Sequence, residues 1–370
     1  MNDVKFIGSL YEWQKEVVEH TIDQLRVSLY NGGILNADCG LGKTMMGIYI
    51  AHALGVRVVI CVNKEFLMTQ WKERIEQVTD GATIGKVQGD SFSIGDFTLV
   101  MIQTIISGRY DPSQFDSVGL LMVDEVHHLP AKTYKLTNSY FNAKYCLGLS
   151  ATLKRGDGNE HAIFWQVGPT IVSCKRNDTG MSSMGTVYSI VYTGRGPLQH
   201  PERYGRMDWS KLITMLTVDQ RRNEVISDRC KSLVDGGYNV LVISERVNHL
   251  ESLIDMWKDH AAHCKYVGET SVKKKRKREE LFEVAKLVWT TKAMASEGFD
   301  WPSCNCVVLA TPTPATANLE QSIGRCQRDH PNKDKTKPNI IVLLVDNTPC
   351  LKSISRTVCT WFASKAIKEL

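Results

Sequence analysis

No apolar stretch in the chain approaches the roughly 20 consecutive residues that a bilayer-spanning helix needs, and the opening MNDVKFIGSLYEWQ is too polar for a secretory leader. Neither a membrane partner nor an export signal is expected. The eleven cysteines show no disulfide-framework spacing, which points to a reducing compartment in which most serve as small core residues. Cys304 and Cys306 form a C-x-C with no second pair at zinc-finger spacing, so they read as a strand edge rather than a metal site. Internal repeats are absent, as is low-complexity sequence beyond one basic run. Charge is nearly balanced, with 45 Lys and Arg against 40 Asp and Glu and a net of +5. That is compatible with a polyanion partner without demanding one.

What is present is an ordinary globular composition, 43% hydrophobic and 23% charged, over 370 residues. This length exceeds what one core usually serves, so two domains are expected. β-Branched runs alternate with helical patterns throughout, the pattern of α/β parallel sheets. Strands are read near 33–37, 57–62, 97–102, 119–123 and 145–149, with helices near 12–29, 43–53 and 64–77. The second half repeats the style, with strands near 187–193, 238–244, 286–290, 305–310 and 340–346 and helices near 219–234, 246–259, 278–284 and 318–326. Periodicity weakens over 153–185, which places the boundary there and gives domains 1–168 and 169–370. GRGPLQHPERYGRMD (194–208) reads as a loop or small insertion. Lys-Lys-Lys-Arg-Lys-Arg at 273–278 fits a solvated loop, a phosphate contact or a nuclear-import signal. Residues 347–370 form an amphipathic helix that either packs on the second domain or docks a partner.

Two segments carry chemistry. ADCGLGKT (37–44) lies between a strand and a helix, the context in which a glycine-rich turn wraps phosphates with backbone N–H groups. Ala37 stands where the strict pattern has its first glycine, while Gly40 and Gly42 remain beside the lysine. Cys39, Gly40, Leu41 and Gly42 would line the phosphates, Lys43 would reach the β- and γ-phosphates, and Thr44 offers its hydroxyl to Mg²⁺. About eighty positions later, LLMVDEVHH (120–128) is an apolar run ending in two acids, as a buried strand delivering carboxylates to a sheet rim would be. Asp124 suits the Mg²⁺ side and Glu125 the attacking water. Together the segments indicate NTP hydrolysis. His127 and His128 read as a bridge from that site, since no third ligand at metal spacing follows.

In the second half, QSIGRCQR (321–328) places Arg325 and Arg328 on one helical face, with Gln321 a turn back. Two guanidinium groups can stabilise charge on a γ-phosphate; taken alone, a solvent-facing basic stripe with Glu320 and Asp329 nearby is the better reading. Before it, ASEGFDWP (295–302) sets Gly298 and Asp300 on a turn after a strand.

In order and spacing, the set from about residue 10 to 330 resembles the superfamily 2 helicase core. DCGLGKT resembles motif I, VNKEFLMTQW motif Ia, DEVH motif II of the DExH type, SAT motif III, LVISERV motif IV, and SEGFD and QSIGRCQR motifs V and VI. DEVHH followed by GLSATLKRGDG is most similar to the XPB-like DNA translocases and compact viral and phage helicases, with Arg155-Gly156-Asp157 in place of the XPB Arg-Glu-Asp. The resemblance implies two RecA-like lobes with ATP and Mg²⁺ between them. It implies Gln14 as the adenine reader, Gly298 and Asp300 beside the nucleotide, and Lys43, Asp124, Glu125, Gln321, Arg325 and Arg328 as catalytic. Thr104, Thr270, Ser150 and Thr152 are implied in gripping nucleic acid or coupling grip to nucleotide state. DNA is favoured over RNA as the track, and a monomer is expected, with a replication, recombination or transcription protein as a further partner. Cytoplasm, nucleus and viral factory all fit as locations. An RNA helicase and an ATP-gated clamp that does not unwind are the competing readings.

Glu125→Gln is expected to bind ATP without turning it over; nucleotide-binding and steady-state ATPase assays on the same preparation check this, and normal turnover refutes Glu125 as the base.

Overall fold

The computed structural model describes the chain except residues 1–2, 29–30, 39, 127–139, 152–160, 176–184, 259, 268–280, 283, 297–300, 302, 314–318, 320–322, 325–332 and 335. It divides into two compact units, Met1–Met181 and Ser182–Leu370.

In the first unit, helix α1 (Glu12–Val27) precedes β1 (Gly32–Ala37), α2 (Lys43–Leu54), β2 (Arg57–Val62) and α3 (Glu65–Val78). Then come β3 (Ile84–Gln88), β4 (Ser91–Phe92), β5 (Phe97–Met101), the short α4 (Ile102–Ile106), β6 (Val118–Val123), β7 (Tyr145–Ser150), α5 (His161–Val167) and β8 (Thr170–Cys174). The sheet order is β8-β1-β7-β6-β2-β5-β3-β4, parallel except for the edge strand β4. Central strands such as VGLLMV and RVVICV are almost wholly buried, as strands covered on both faces must be. One face packs on α1, α2 and α3 around Trp71, Ile75, Ile48 and Leu149, and the other buries Phe115, Phe141 and Val126.

The second unit contains β9 (Thr186–Tyr192), α6 (Trp209–Thr217), α7 (Gln220–Asp235), β10 (Val240–Ser244), α8 (Val247–Trp257), β11 (His263–Tyr266) and β12 (Leu287–Thr291). It continues with α9 (Lys292–Ser296), β13 (Cys306–Leu309), β14 (Asn339–Val345), α10 (Pro349–Ser364) and β15 (Lys368–Glu369). Its all-parallel sheet runs β11-β12-β10-β13-β14-β9-β15. The fold is a tandem of RecA-like α/β lobes, as the resemblance implies.

The expected domain boundary at 168/169 falls too early. Strand β8 pairs with β1, with Asn36 opposite Ser173 and Ala37 opposite Cys174, so the first unit runs on through its own edge strand. Strands β3, β8 and β11 and helix α6 are additions to the elements read from sequence. Helix α10 packs on its own unit, burying Leu351, Val358 and Phe362. The helices read near 278–284 and 318–326 and the basic run 273–278 lie largely or wholly outside the described residues. Among the described residues no helix is long and apolar enough to cross a membrane.

A buried ionic network braces the second unit. The fully buried Arg222 of α7 donates through Nε (2.8 Å) and Nη2 (3.2 Å) to Asp346 beyond β14, and Thr193 Oγ1 donates to the same carboxylate at 2.6 Å. Beside it, His249 bridges Ser244 Oγ and Asn223 Oδ1, each at 2.9 Å. Burial, helped by the Arg222 charge, depresses its pKa to about 3, so it is a neutral hydrogen-bonding link. Asp346→Ala is expected to destabilise the protein by about 3–5 kcal/mol, because it strands a buried guanidinium; urea unfolding of the variant against the parent measures the loss.

Candidate active site

Each chemical segment of the first unit leaves the carboxyl end of a parallel strand, so all emerge at one edge of the sheet. The phosphate loop follows β1. Gly40 and Gly42 both hold φ of +82°, a region open to glycine at little energetic penalty. Gly42 is needed for a second reason: a Cβ there would lie 2.7 Å from Gln14 Nε2. Gly42 also caps α2 with no side-chain partner for the helix's first amides, which leaves those donors to a phosphate. Ala37, in the place of the first glycine of the strict pattern, ends β1 and is fully buried. Lys43 folds back over the loop and donates to the Ala37 carbonyl at 2.9 Å. Thr44 is in the first turn of α2 and half-buried. Leu41 is buried and anchors the loop.

Gln14 reaches this loop from α1. Its Nε2 donates to the buried Leu41 carbonyl at 2.9 Å, and its Oε1 accepts from the Tyr11 amide at 3.0 Å nearer the surface. The amide expected to read adenine therefore already ties the first helix to the loop.

The two acids follow β6 in the middle of the sheet. The Asp124 amide extends the ladder by donating to Cys61 at 3.1 Å. Its carboxylate accepts from Trp71 Nε1 at 2.8 Å and from the Glu125 amide at 2.9 Å. Burial first, then the neighbouring Glu125 charge, raise its pKa to about 6, while the Trp71 bond and Lys43 oppose the rise. Glu125 adopts φ of +47°, a conformation that costs a non-glycine residue about 1 kcal/mol or more and that turns the chain sharply off the strand. Trp71 is a partner of the site that the motif segments do not announce. It is 1% exposed, yet its one polar atom is committed to an acid 53 positions away, and no local pattern announces that.

Ser150 ends β7, fully buried, directly opposite Asn36 of β1, so the strand before the SAT segment is registered on the strand before the phosphate loop. Asn36 in turn lies 3.1 Å from Ser173 Oγ on β8. Thr104, in α4, is buried, and its hydroxyl accepts from the Gly89 amide at 3.1 Å. The hydroxyl thereby fastens the turn at Gly89. In the second unit, the segment read as motif IV follows β10: Glu245 accepts from Lys292 at 3.2 Å, and its amide donates to Thr311 Oγ1 at 3.0 Å. Cys39, His127, His128, Thr152, Arg155, Gly156, Asp157, Thr270, Gly298, Asp300, Gln321, Arg325 and Arg328 lie outside the described residues.

With this geometry in place, the relationships of the chain become specific. Residues 7–155 match the family of the type III restriction enzyme res subunit, and residues 223–330 match the helicase conserved C-terminal domain. The two matched segments contain the phosphate loop and both acids, then the QSIGRCQR segment, in that order. The chain is a superfamily 2 helicase core. It is 29% identical over 341 residues to the putative ATP-dependent RNA helicase L396 of Acanthamoeba polyphaga mimivirus, covering 89% of this chain and 63% of that one. It is 32% identical over 162 residues to the DNA 3'-5' translocase XPB2 of Sulfurisphaera tokodaii, covering 44% of this chain and 35% of the relative. The chain thus spans under two thirds of the length of each. In fold it is similar to the DNA-bound ATP-dependent type ISP restriction-modification enzyme LlaBIII, with a TM-score of 0.63 at 12% identity over 92% of this chain and 28% of that one. Membership in this family of ATPases implies that the core binds ATP, and the loop geometry agrees with a triphosphate.

The raised Asp124 pKa has a consequence for stability. Its folded value of about 6 exceeds the ordinary 3.8, so between these limits the folded state keeps a proton that the unfolded chain has lost. Stability from this group therefore falls as pH rises from about 4 through 6. Asp124→Asn, free of nucleotide and divalent metal, is expected to melt higher than the parent at pH 7, with the gap closing toward pH 4; thermal melts at the two pH values decide it.

Proposed function

We propose that the chain couples ATP hydrolysis to movement along DNA, unwinding or remodelling it. The observation that carries this reading is the pairing, at one sheet edge, of an amide-rich loop bearing Lys43 with a desolvated Asp124 close enough to Lys43 to sense its charge. A partly buried acid with a raised pKa beside a hydroxyl-bearing helix start is a donor set suited to a hard, oxygen-liganded cation. Thr44 and Asp124 would hold Mg²⁺, which supplies charge neutralisation at the phosphates when bound.

The remaining roles belong to the chain's own groups. Gly40, Gly42 and the first amides of α2 hold the β- and γ-phosphates, and Lys43 leaves the Ala37 carbonyl to meet them. Trp71 fixes the Asp124 carboxylate, keeping one oxygen directed away from the site. Glu125, set by its left-handed backbone, orients the water and accepts its proton. Gln14 releases Leu41 on nucleotide entry if it reads adenine, so that occupancy of the base site is felt in the phosphate loop. By the superfamily 2 resemblance, Arg325 and Arg328 would stabilise charge on the γ-phosphate in the transition state, and Gln321, Gly298 and Asp300 would serve the same nucleotide. Ser150 and Thr152 transmit nucleotide state to the segments that grip the track, where Thr270 contacts phosphate. Thr104 supports that surface through the Gly89 turn rather than by an open side chain.

DNA is the proposed track because the chain is similar to a relative named as a DNA 3'-5' translocase, and because its DEVHH and GLSAT segments resemble those of the XPB-like group. The name of the mimivirus relative favours RNA as the second reading. Steady-state ATPase with single-stranded DNA, duplex DNA, forked DNA and RNA separates the two, with Lys43→Ala as the blank. Stimulation of about tenfold or more by DNA over RNA is expected; stimulation by RNA alone transfers the assignment to the RNA helicase, and turnover indifferent to every polymer removes the motor reading.

A further inference from the structure

The insertion after β9 ends in a hairpin that none of the roles above uses. Strands Glu202–Arg203 and Arg206–Met207 pair antiparallel, with Arg203 opposite Arg206 across the two-residue tip Tyr204-Gly205. Both tip residues have positive φ, +53° at Tyr204 and +71° at Gly205, as a type I′ turn requires. Asparagine, aspartate or glycine usually fills the first of these positions, because a bulky side chain there is strained. Here it is a tyrosine, and it is 91% exposed. Folding therefore gains nothing from burying the ring and loses something by its backbone. The Arg203 guanidinium lies 5.5 Å from the ring centroid, and the acidic neighbour Glu202 faces His200 at 3.5 Å.

The base of this insertion is built far more firmly than a free loop. Thr193 and the buried Arg222–Asp346 pair hold its entry. The Asn347 amide donates to the Arg195 carbonyl at 2.6 Å, and Thr348 Oγ1 donates to the Pro197 carbonyl at 2.6 Å. At the exit, the Asp208 amide donates to Pro201 at 2.7 Å, and Asp208 caps α6 through the Lys211 amide at 2.9 Å. Arg246, in the turn after β10, then donates to Ser210 Oγ at 2.8 Å. Because β9 and β10 run parallel within one sheet, the hairpin rises from the same edge as the turn that resembles motif IV and is hydrogen-bonded to it through α6.

We propose that this hairpin tip is a nucleic-acid contact, in which the Tyr204 ring stacks on a base while Arg203 and Arg206 take phosphates of a single strand. A planar ring flanked by two guanidinium groups suits a base between phosphates, and it suits neither a metal nor an acidic peptide so well. The proposal rests on the nucleic-acid motor reading and adds to it a contact outside the motif segments.

Tyr204→Asn separates function from folding, since asparagine fits the turn better than tyrosine does. On the whole chain, the variant is expected to melt at or above the parent's temperature. Its affinity for a short fluorescein-labelled oligothymidine, read by anisotropy, is expected to weaken by about 5- to 100-fold. Tyr204→Trp is expected to restore binding to within about threefold. Arg203→Ala with Arg206→Ala is expected to lower the slope of log affinity against log salt by about 1.4. Parental affinity in Tyr204→Asn together with an unchanged salt slope in the arginine variant overturns the hairpin contact and leaves the motor reading standing. A parent that binds neither the DNA nor an oligouridine of the same length overturns both.

Discussion

The chemistry of this chain depends on desolvating a carboxylate at the end of a strand that cannot move. Strand β6 is buried on both faces and laddered on both sides, so Asp124 is held where water does not reach it freely. Its raised pKa is the electrostatic record of that placement, and the indole N–H of Trp71 is what keeps the ionised form within reach. An acid so placed weakens the folded protein at pH values above its pKa, where its charge is incompletely offset. The left-handed Glu125 belongs to the same economy, since a strained turn directly after a rigid strand aims a second acid without a loop that could wander.

Parallel topology extends this logic to the remaining segments. In the first unit the phosphate loop, the acids, the SAT strand and the α4 turn all follow carboxyl ends of strands, and the register between β1 and β7 sets Asn36 against Ser150. The strand before the phosphate loop and the strand before the SAT segment are thereby tied through paired backbones rather than through side-chain reach. Gln14 adds a further link, from the first helix to the Leu41 carbonyl, with Gly42 kept free of a side chain to make room for it.

The second unit uses a different device for rigidity. Its parallel sheet is apolar like the first, but a buried Arg222–Asp346 pair and the neutral His249 bridge join α7, α8 and the strand ends. Buried pairs of this kind contribute little net stability against apolar replacements, whereas removing one partner is strongly destabilising because it leaves the other charge buried and uncompensated. Here they fix the root of the insertion that carries Tyr204, which is where an unstable root would be most damaging to a contact at the tip.

The α/β class, the two-domain organisation, the glycine loop and the pair of acids were legible in the amino-acid order, because each is local: a run of apolar residues, a turn that only glycine permits, a charge at the end of a strand. Strands β3, β8 and β11 were not legible, being short and lacking the long apolar run that marks a buried strand, and β8 moved the boundary toward the far end of the 153–185 stretch where periodicity fades. Gln14 and Thr104 were found as residues, but their bonds to Leu41 and Gly89 were not, and the Trp71–Asp124 hydrogen bond had no trace in either segment. The chain's order determined which groups exist and on which kind of element each sits. Only tertiary structure decided their partners, exposure and acidity, because those follow from how distant segments exclude water from one another, a quantity that no local pattern encodes.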